Sequence, residues 1–199
     1  MRHTTCLRVG LVGSLTWYFL FAAVPSSEAV EEAWRFLDGL RAAERGYYDV
    51  ALEYLDRIEN SPQCPDDLKE QIDYQRGITL VPASRLAPSL REKRLDQARD
   101  AFQKFVSEHP THPLAADAST QLANVLVERG RIKAESASRP SKSAEEKKQL
   151  MAEARTQYEQ ARTVFEAAEK RVQDAYKATQ KALEDADKAR EDGTRRVIE

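Results

Sequence analysis

An all-α fold ending in a long C-terminal helix is what this 199-residue sequence predicts, and three observations carry the prediction. The pattern Ala-x3-(large apolar)-x2-(apolar) occurs at Ala51/Leu55/Ile58, at Ala98/Phe102/Phe105 and at Ala154/Tyr158/Ala161. Such a repeat suits helix-on-helix packing, because an alanine lets a neighbouring helix approach and a bulky residue one turn later fills the gap beside it. Glycine is limited to seven residues, and long stretches consist of Ala, Glu, Lys, Arg, Gln and Leu, the strong helix formers. From Ser143 to Asp192 neither glycine nor proline interrupts the chain.

Residues 1–29 read as a secretory signal: Arg2 and Arg8 precede or open an apolar run from Val9 to Val24, and Ser27-Glu28-Ala29 offers small residues for cleavage after Ala29. The run is shorter than the roughly 20 apolar residues that span a bilayer. The expected location is therefore outside the cytoplasm, periplasmic or extracellular, with an uncleaved signal anchor tethering the chain to the membrane as the alternative. Cys6 stands before the apolar run, so it cannot be the lipid-bearing cysteine of a lipoprotein signal. Cleavage would leave Cys64 as the lone cysteine, unable to form an internal disulfide. An intermolecular bridge is one reading of it, and an ordinary cysteine in the turn between Pro62 and Pro65 is the favoured one.

In the mature chain, the first helix is expected from Val30 to Arg45, with Gly46 as its left-handed cap, and its partner from Asp49 to Glu59. The stretch Ser61 to Pro65 stops that pair. Asp67 with Glu70 suggests a cap for a helix ending at Val81, after which Pro82 and Pro88 enclose a loop. A helix from Glu92 to Ser107 follows, then the corner His109-Pro110-Thr111-His112-Pro113, then a helix from Leu114 to Arg129 capped by Gly130. Trp34 is expected in the core, at the end of the helix stack.

These residues resemble the tetratricopeptide repeat family, whose unit is a helical hairpin of about 34 residues. Gly39, Gly46 and Ala51 meet the family's small positions without insertion; Gly77 and Ala98 meet them with nine residues inserted; Leu122, Ala123, Leu126 and Gly130 match the first helix of a third unit, with Ala154 following after a longer insertion. The resemblance implies three hairpins over 30–161, at 30–62, 66–110 and 113–161, in an α-α superhelix. The insertions, 82–94 and 131–142, would leave the same edge, and the second, rich in Ser, Lys and Arg, would be flexible. The run from Ala98 through Phe105 to His109-Pro110 and His112-Pro113-Leu114 is similar to repeat domains of bacterial envelope proteins, including those of outer-membrane assembly and of the Tol-Pal system. The absent lipid cysteine departs from their lipoprotein members.

The C-terminal helix, 143–192, opens on a capping box of Ser143 and Glu146 and ends at Gly193, leaving 193–199 as a tail. Alanine recurs every seventh residue at Ala154, Ala161, Ala168 and Ala175 and beyond, with Tyr158, Phe165 and Val172 four residues after the first three. That is a heptad seam with small residues at one of its two core positions, suited to a partner helix at close range in a coiled coil. The competing reading is a solvated helix with alanines chosen for propensity. Charge at Ala161 or Ala168 is expected to weaken partner capture while the hairpins stay folded.

The sequence offers no catalytic constellation and no cofactor motif: P-loop, nucleophile elbow, His-Glu-x-x-His and calcium-loop patterns are missing. His109 and His112 beside Glu108 admit a metal reading on paper, but the flanking prolines favour a corner between repeats. Cleavage removes two arginines and one glutamate, moving the net charge from −2 to −3, and no basic patch points to nucleic acid. No small-molecule substrate is suggested. In a stack of hairpins the first helices line the concave side, which would place Phe36 and Leu40, Tyr74 and Ile78, and Thr120 and Asn124 in a groove for protein partners. The apolar members of that set could equally pack between repeats. The function expected is a non-enzymatic scaffold for protein–protein interaction in the cell envelope, or alternatively a structural coiled-coil spacer that self-associates through its last helix.

Overall fold

A computed structural model describes the backbone of residues 27–198 and the side chains through residue 190. The described chain is all-α, with no strand. Its helices are α1 (Ser27–Glu44), α2 (Tyr48–Glu59), α3 (Asp66–Leu86), α4 (Arg91–Glu108), α5 (Ala115–Ala137) and α6 (Ala144–Ile198), with a 3₁₀ turn at Pro88–Leu90 before α4. The apolar run of the expected signal lies outside the described residues, while Ser27, Glu28 and Ala29 open α1. No described helix is long and apolar enough to cross a membrane.

Consecutive helices pack as antiparallel pairs, and the side-chain contacts give the register. Glu32 near the start of α1 accepts a hydrogen bond from Ser61, just past the end of α2, at 2.9 Å. Across α3 and α4, Lys104 pairs with Asp73 at 2.7 Å and Arg94 donates to the Ala83 carbonyl at 2.7 Å. Across α5 and α6, Arg129 meets Gln157 at 3.0 Å and Arg171 reaches Ser119 at 3.5 Å. A smaller core of Phe36, Leu55, Ile58, Cys64 and Ile72 joins the first pair to α3. The larger core centres on Phe102, Phe105, Leu95, Leu122 and Val125, with Ala161 closing it from α6.

One feature recurs in all three pairs: a glycine on the first helix lies under an aromatic ring or stem on the second. A Cβ at Gly39 would stand 3.1 Å from the Tyr54 Cβ, one at Gly77 would stand 2.6 Å from the Phe102 ring, and one at Gly130 would stand 2.8 Å from the Tyr158 ring. These close approaches account for the missing side chains. Gly46 serves a different end. Its φ of +82° lets Tyr47 N–H reach the Ala42 carbonyl at 2.9 Å and its own N–H reach Ala43 at 3.0 Å, the paired hydrogen bonds of a Schellman cap.

Several expectations are corrected. The helix expected to end at Val81 runs through Pro82 to Leu86. Its added turns bury Ala83 and Ser84 completely, and Arg94 satisfies the Ala83 carbonyl, which together outweigh the roughly 3 kcal/mol cost of an internal proline. Gly130 is no cap: it lies inside α5, which continues to Ala137 because Ile132 and Ala137 are buried. The expected insertions at 82–94 and 131–142 are therefore largely extra helical turns, so the second and third hairpins are longer than the first rather than interrupted by loops. The backbone also stays helical past Gly193 to Ile198, where a tail from 193 was expected. Trp34 is 57% exposed; it lies two residues from both Glu32 and Phe36, which with Gly39 are the buried residues of α1, and so faces the other side of that helix. The Asp67/Glu70 cap does not form, since α3 starts at Asp66 and the Pro65 carbonyl accepts from Leu68 and Lys69. The Ser143/Glu146 box does form: Ser143 N–H donates to Glu146 at 2.8 Å and Glu146 N–H donates to Ser143 Oγ at 3.2 Å.

Ion pairs tie α4 to α5. Glu128 takes two hydrogen bonds from Arg131, at 2.7 and 3.0 Å, and a third from Arg91 at the start of α4. The Arg131 hydrogen bonds hold its carboxyl down to about 2 against the opposing effect of burial, with Arg91 adding to the shift. Because the folded-state value lies below the ordinary one of 4.5, this clasp stabilises fully above about pH 4.5 and is lost as pH falls toward 2. Urea midpoints measured at pH 6 and pH 3 should fall less for Glu128→Gln than for the unaltered chain; equal falls would remove Glu128 from the acid response.

Candidate interaction surfaces

The six residues expected to line a groove on the odd-numbered helices fall into three environments. Phe36 is buried at 5% exposure in the smaller core, which corrects its assignment to an open groove: it faces α2 and α3, the neighbours that α1 needs to cover its apolar face. Leu40 packs against the same cluster, half-buried. Tyr74 and Ile78 pack against the larger core, so the packing alternative describes them. Thr120 and Asn124 on α5 are exposed.

Tyr74 does more than fill space. Its ring lies 5.6 Å from that of Phe105, and its hydroxyl donates to Asp117 at 2.7 Å, joining α3 to α5 on the odd-helix face. Burial, followed by that hydrogen bond, pushes its phenol up to about 12. A smaller depression between the same two helices, of about 300 Å³, takes in Arg85, Gln121, Asn124 and Glu128.

The larger concavities lie on the opposite side, along the even-numbered helices. Between α4, α5 and α6 a groove of about 670 Å³ has Leu122, Leu126 and Val164 on its floor and Arg99, Arg129 and Gln157 around it. A second, of about 410 Å³, sits over α3 between α2 and α4. There Arg76 pairs with Asp56 at 2.8 Å and Glu59 at 2.6 Å, and Lys104 pairs with Asp73. The Asp73 hydrogen bond raises the Lys104 pKa despite partial burial. Sequence reasoning missed both grooves, because each is made by three helices whose side-by-side placement no local pattern encodes.

The seam of α6 divides between two directions. Ala154, Ala161 and Ala168 are buried at 1%, 1% and 7%, whereas Tyr158, Phe165 and Val172 are 39%, 38% and 56% exposed. The alanines thus lie against α5, and the large residues form a half-exposed flanking stripe that Met151 begins one heptad earlier, with the Tyr158 ring also covering Gly130. Ala175 is exposed. Arg171 already contacts Ser119 near the start of α5, so the 27 residues 172–198 of α6 run on for about 40 Å. Every described side chain from Arg171 to Arg190 is exposed, including Tyr176 and Leu183.

The two histidines of the corner have structural partners. His109 packs tilted against Phe105 and His112 edge-on to it, with ring centroids at 5.5 and 5.3 Å, and His112 Nδ1 accepts the Leu114 N–H at 3.1 Å where α5 begins. Cys64 is buried in the turn between its prolines, with its thiol pKa raised by burial. Among the described residues no cluster of three or more His, Cys, Asp or Glu is placed to hold a metal ion. No protein-family model, curated protein or solved structure matches the chain.

Proposed function

We propose that this chain is an exported, non-enzymatic scaffold of tetratricopeptide-like hairpins that binds proteins in the cell envelope. The observation that carries the reading is the threefold recurrence of one packing unit, a glycine on the first helix of each pair under an aromatic side chain on the second, at Gly39/Tyr54, Gly77/Phe102 and Gly130/Tyr158. Stacked hairpins of this kind present fixed helix faces and grooves, so a partner binds without the entropic cost of ordering the surface it meets. The grooves along the even-numbered helices combine an apolar floor with charged rims, the composition that suits a protein segment.

The test is a photo-crosslinking residue placed at Asn124, on the odd-helix face, and separately at Gln103, in the α4–α5–α6 groove, in cells that make the protein. The scaffold reading expects discrete adducts with another protein from one of the two positions. Adducts from neither, with the chain exported and folded, would overturn it. Amino-terminal sequencing of the same material is expected to begin at Val30, and an intact amino terminus would favour the tethered alternative.

A second reading, a structural coiled-coil spacer that self-associates through its last helix, is favoured by the exposed far end of α6, which extends well beyond α5.

A further inference from the structure

We infer that the far end of α6 pairs with the same segment of a second copy in an antiparallel coiled coil centred between residues 180 and 181; this rests on the self-association reading and adds its direction and register. The segment from Glu169 to Arg190 is about 33 Å of helix, and its described side chains are exposed throughout. Three of them are large and apolar: Val172, Tyr176 and Leu183, exposed at 56%, 63% and 64%. They share one stripe with Ala175, Thr179, Ala182, Ala186 and Ala189.

Antiparallel pairing about that centre sets Val172 opposite the partner's Ala189, Ala175 opposite the partner's Ala186, and Thr179 opposite the partner's Ala182. Each layer matches small residues with residues of modest size, so the helices can approach closely along the whole overlap. On one flank Tyr176 lies beside the partner's Leu183, and Glu169 beside the partner's Arg190, each pair occurring twice by symmetry. Opposite charges therefore close both ends of the overlap.

Neighbouring registers are less complementary. A slip of one heptad in one direction brings Arg162 beside the partner's Arg190, which offsets the gain from Arg171 beside the partner's Asp185, and a slip in the other brings Asp185 beside the partner's Asp185. Like charges at such flanking positions select against a register. A parallel pair would set the two hairpin bodies side by side at one end, whereas the antiparallel pair holds them at opposite ends of the overlap. The alanines facing α5 take no part, and the exposed side of Glu169 is open to a second helix.

The test is the mass of the purified chain by analytical ultracentrifugation over a wide concentration range, for the unaltered protein, E169R, R190E and the E169R/R190E double variant. Glu169 and Arg190 are both exposed in the monomer, so each reversal should cost folding little and leave circular dichroism unchanged. Each single reversal is expected to weaken dimerisation about tenfold, by setting like charges together twice, and the double reversal to restore it. A dimer whose two reversals fail to compensate would overturn the antiparallel register while leaving self-association standing. A monomer at every concentration would overturn both.

Discussion

Phe102→Ala should cost about 3–5 kcal/mol of stability and lower the melting temperature by roughly 10 °C. Phe102 has no exposed surface, lies edge-on to Tyr74 with ring centroids 6.2 Å apart, and sits in the larger core among residues of α3, α4 and α5. Its ring occupies the space that a Gly77 side chain would need, since a Cβ there would come within 2.6 Å of it. Truncation leaves a cavity walled by helices that three neighbours already fix, so little collapse can recover the loss. The same geometry gives a sharper companion result. Gly77→Ala should destabilise the unaltered protein by about 1–3 kcal/mol through overpacking, although alanine favours a helix over glycine by about 1 kcal/mol. In the Phe102→Ala background the new methyl enters vacant space, and Gly77→Ala should become neutral or stabilising. Calorimetry of the four proteins closes the cycle, and additive effects would show that the Gly77–Phe102 contact does not limit the approach of α3 to α4.

Much of this packing is legible in the sequence, and the way it is legible explains what is not. The Ala98/Phe102/Phe105 pattern marks the buried face of α4, and all three residues are inaccessible, because local periodicity and burial report the same helix face. The Ser143/Glu146 cap is legible for a similar reason: both of its hydrogen bonds join residues three apart. Pro82 and Gly130 misled because their local meaning, to stop a helix, is weaker here than tertiary burial. Ala83, Ser84, Ile132 and Ala137 lie past those residues and are buried by tertiary packing. Candidate surfaces were harder still. Thr120 and Asn124 proved exposed, yet Phe36 proved to be core, since a position one turn from a small residue can face either a groove or a neighbour, and only the third helix decides which. The grooves beside Arg99, Arg129 and Gln157 are properties of three helices at once, and no spacing along one of them announces the others.

Ala161→Glu is expected to open the α5–α6 pair, at a cost of about 3 kcal/mol or more, rather than to act on a partner alone. Ala161 is 1% exposed and closes the larger core beside Leu122, Val125 and Leu126, where a carboxylate would find neither room nor water. Even with Arg99 and Arg129 at the rim of the adjoining groove, a carboxylate at this position would be buried or expelled by separating the helices. This differs from the expectation from sequence alone, that charge in the alanine seam leaves the hairpins folded, because Ala154, Ala161 and Ala168 are buried against α5. Leu183→Glu is the matching control. It lies on the same helix at 64% exposure beyond the end of α5, and its cost to folding should stay within about 0.5 kcal/mol. Chemical denaturation followed by far-ultraviolet circular dichroism separates the two variants. A destabilised Ala161→Glu beside an unperturbed Leu183→Glu would assign the alanines to the fold and leave the far stripe for binding. Equal stability would mean instead that α6 detaches from α5 at little cost, and that the alanine seam is available to a partner after all.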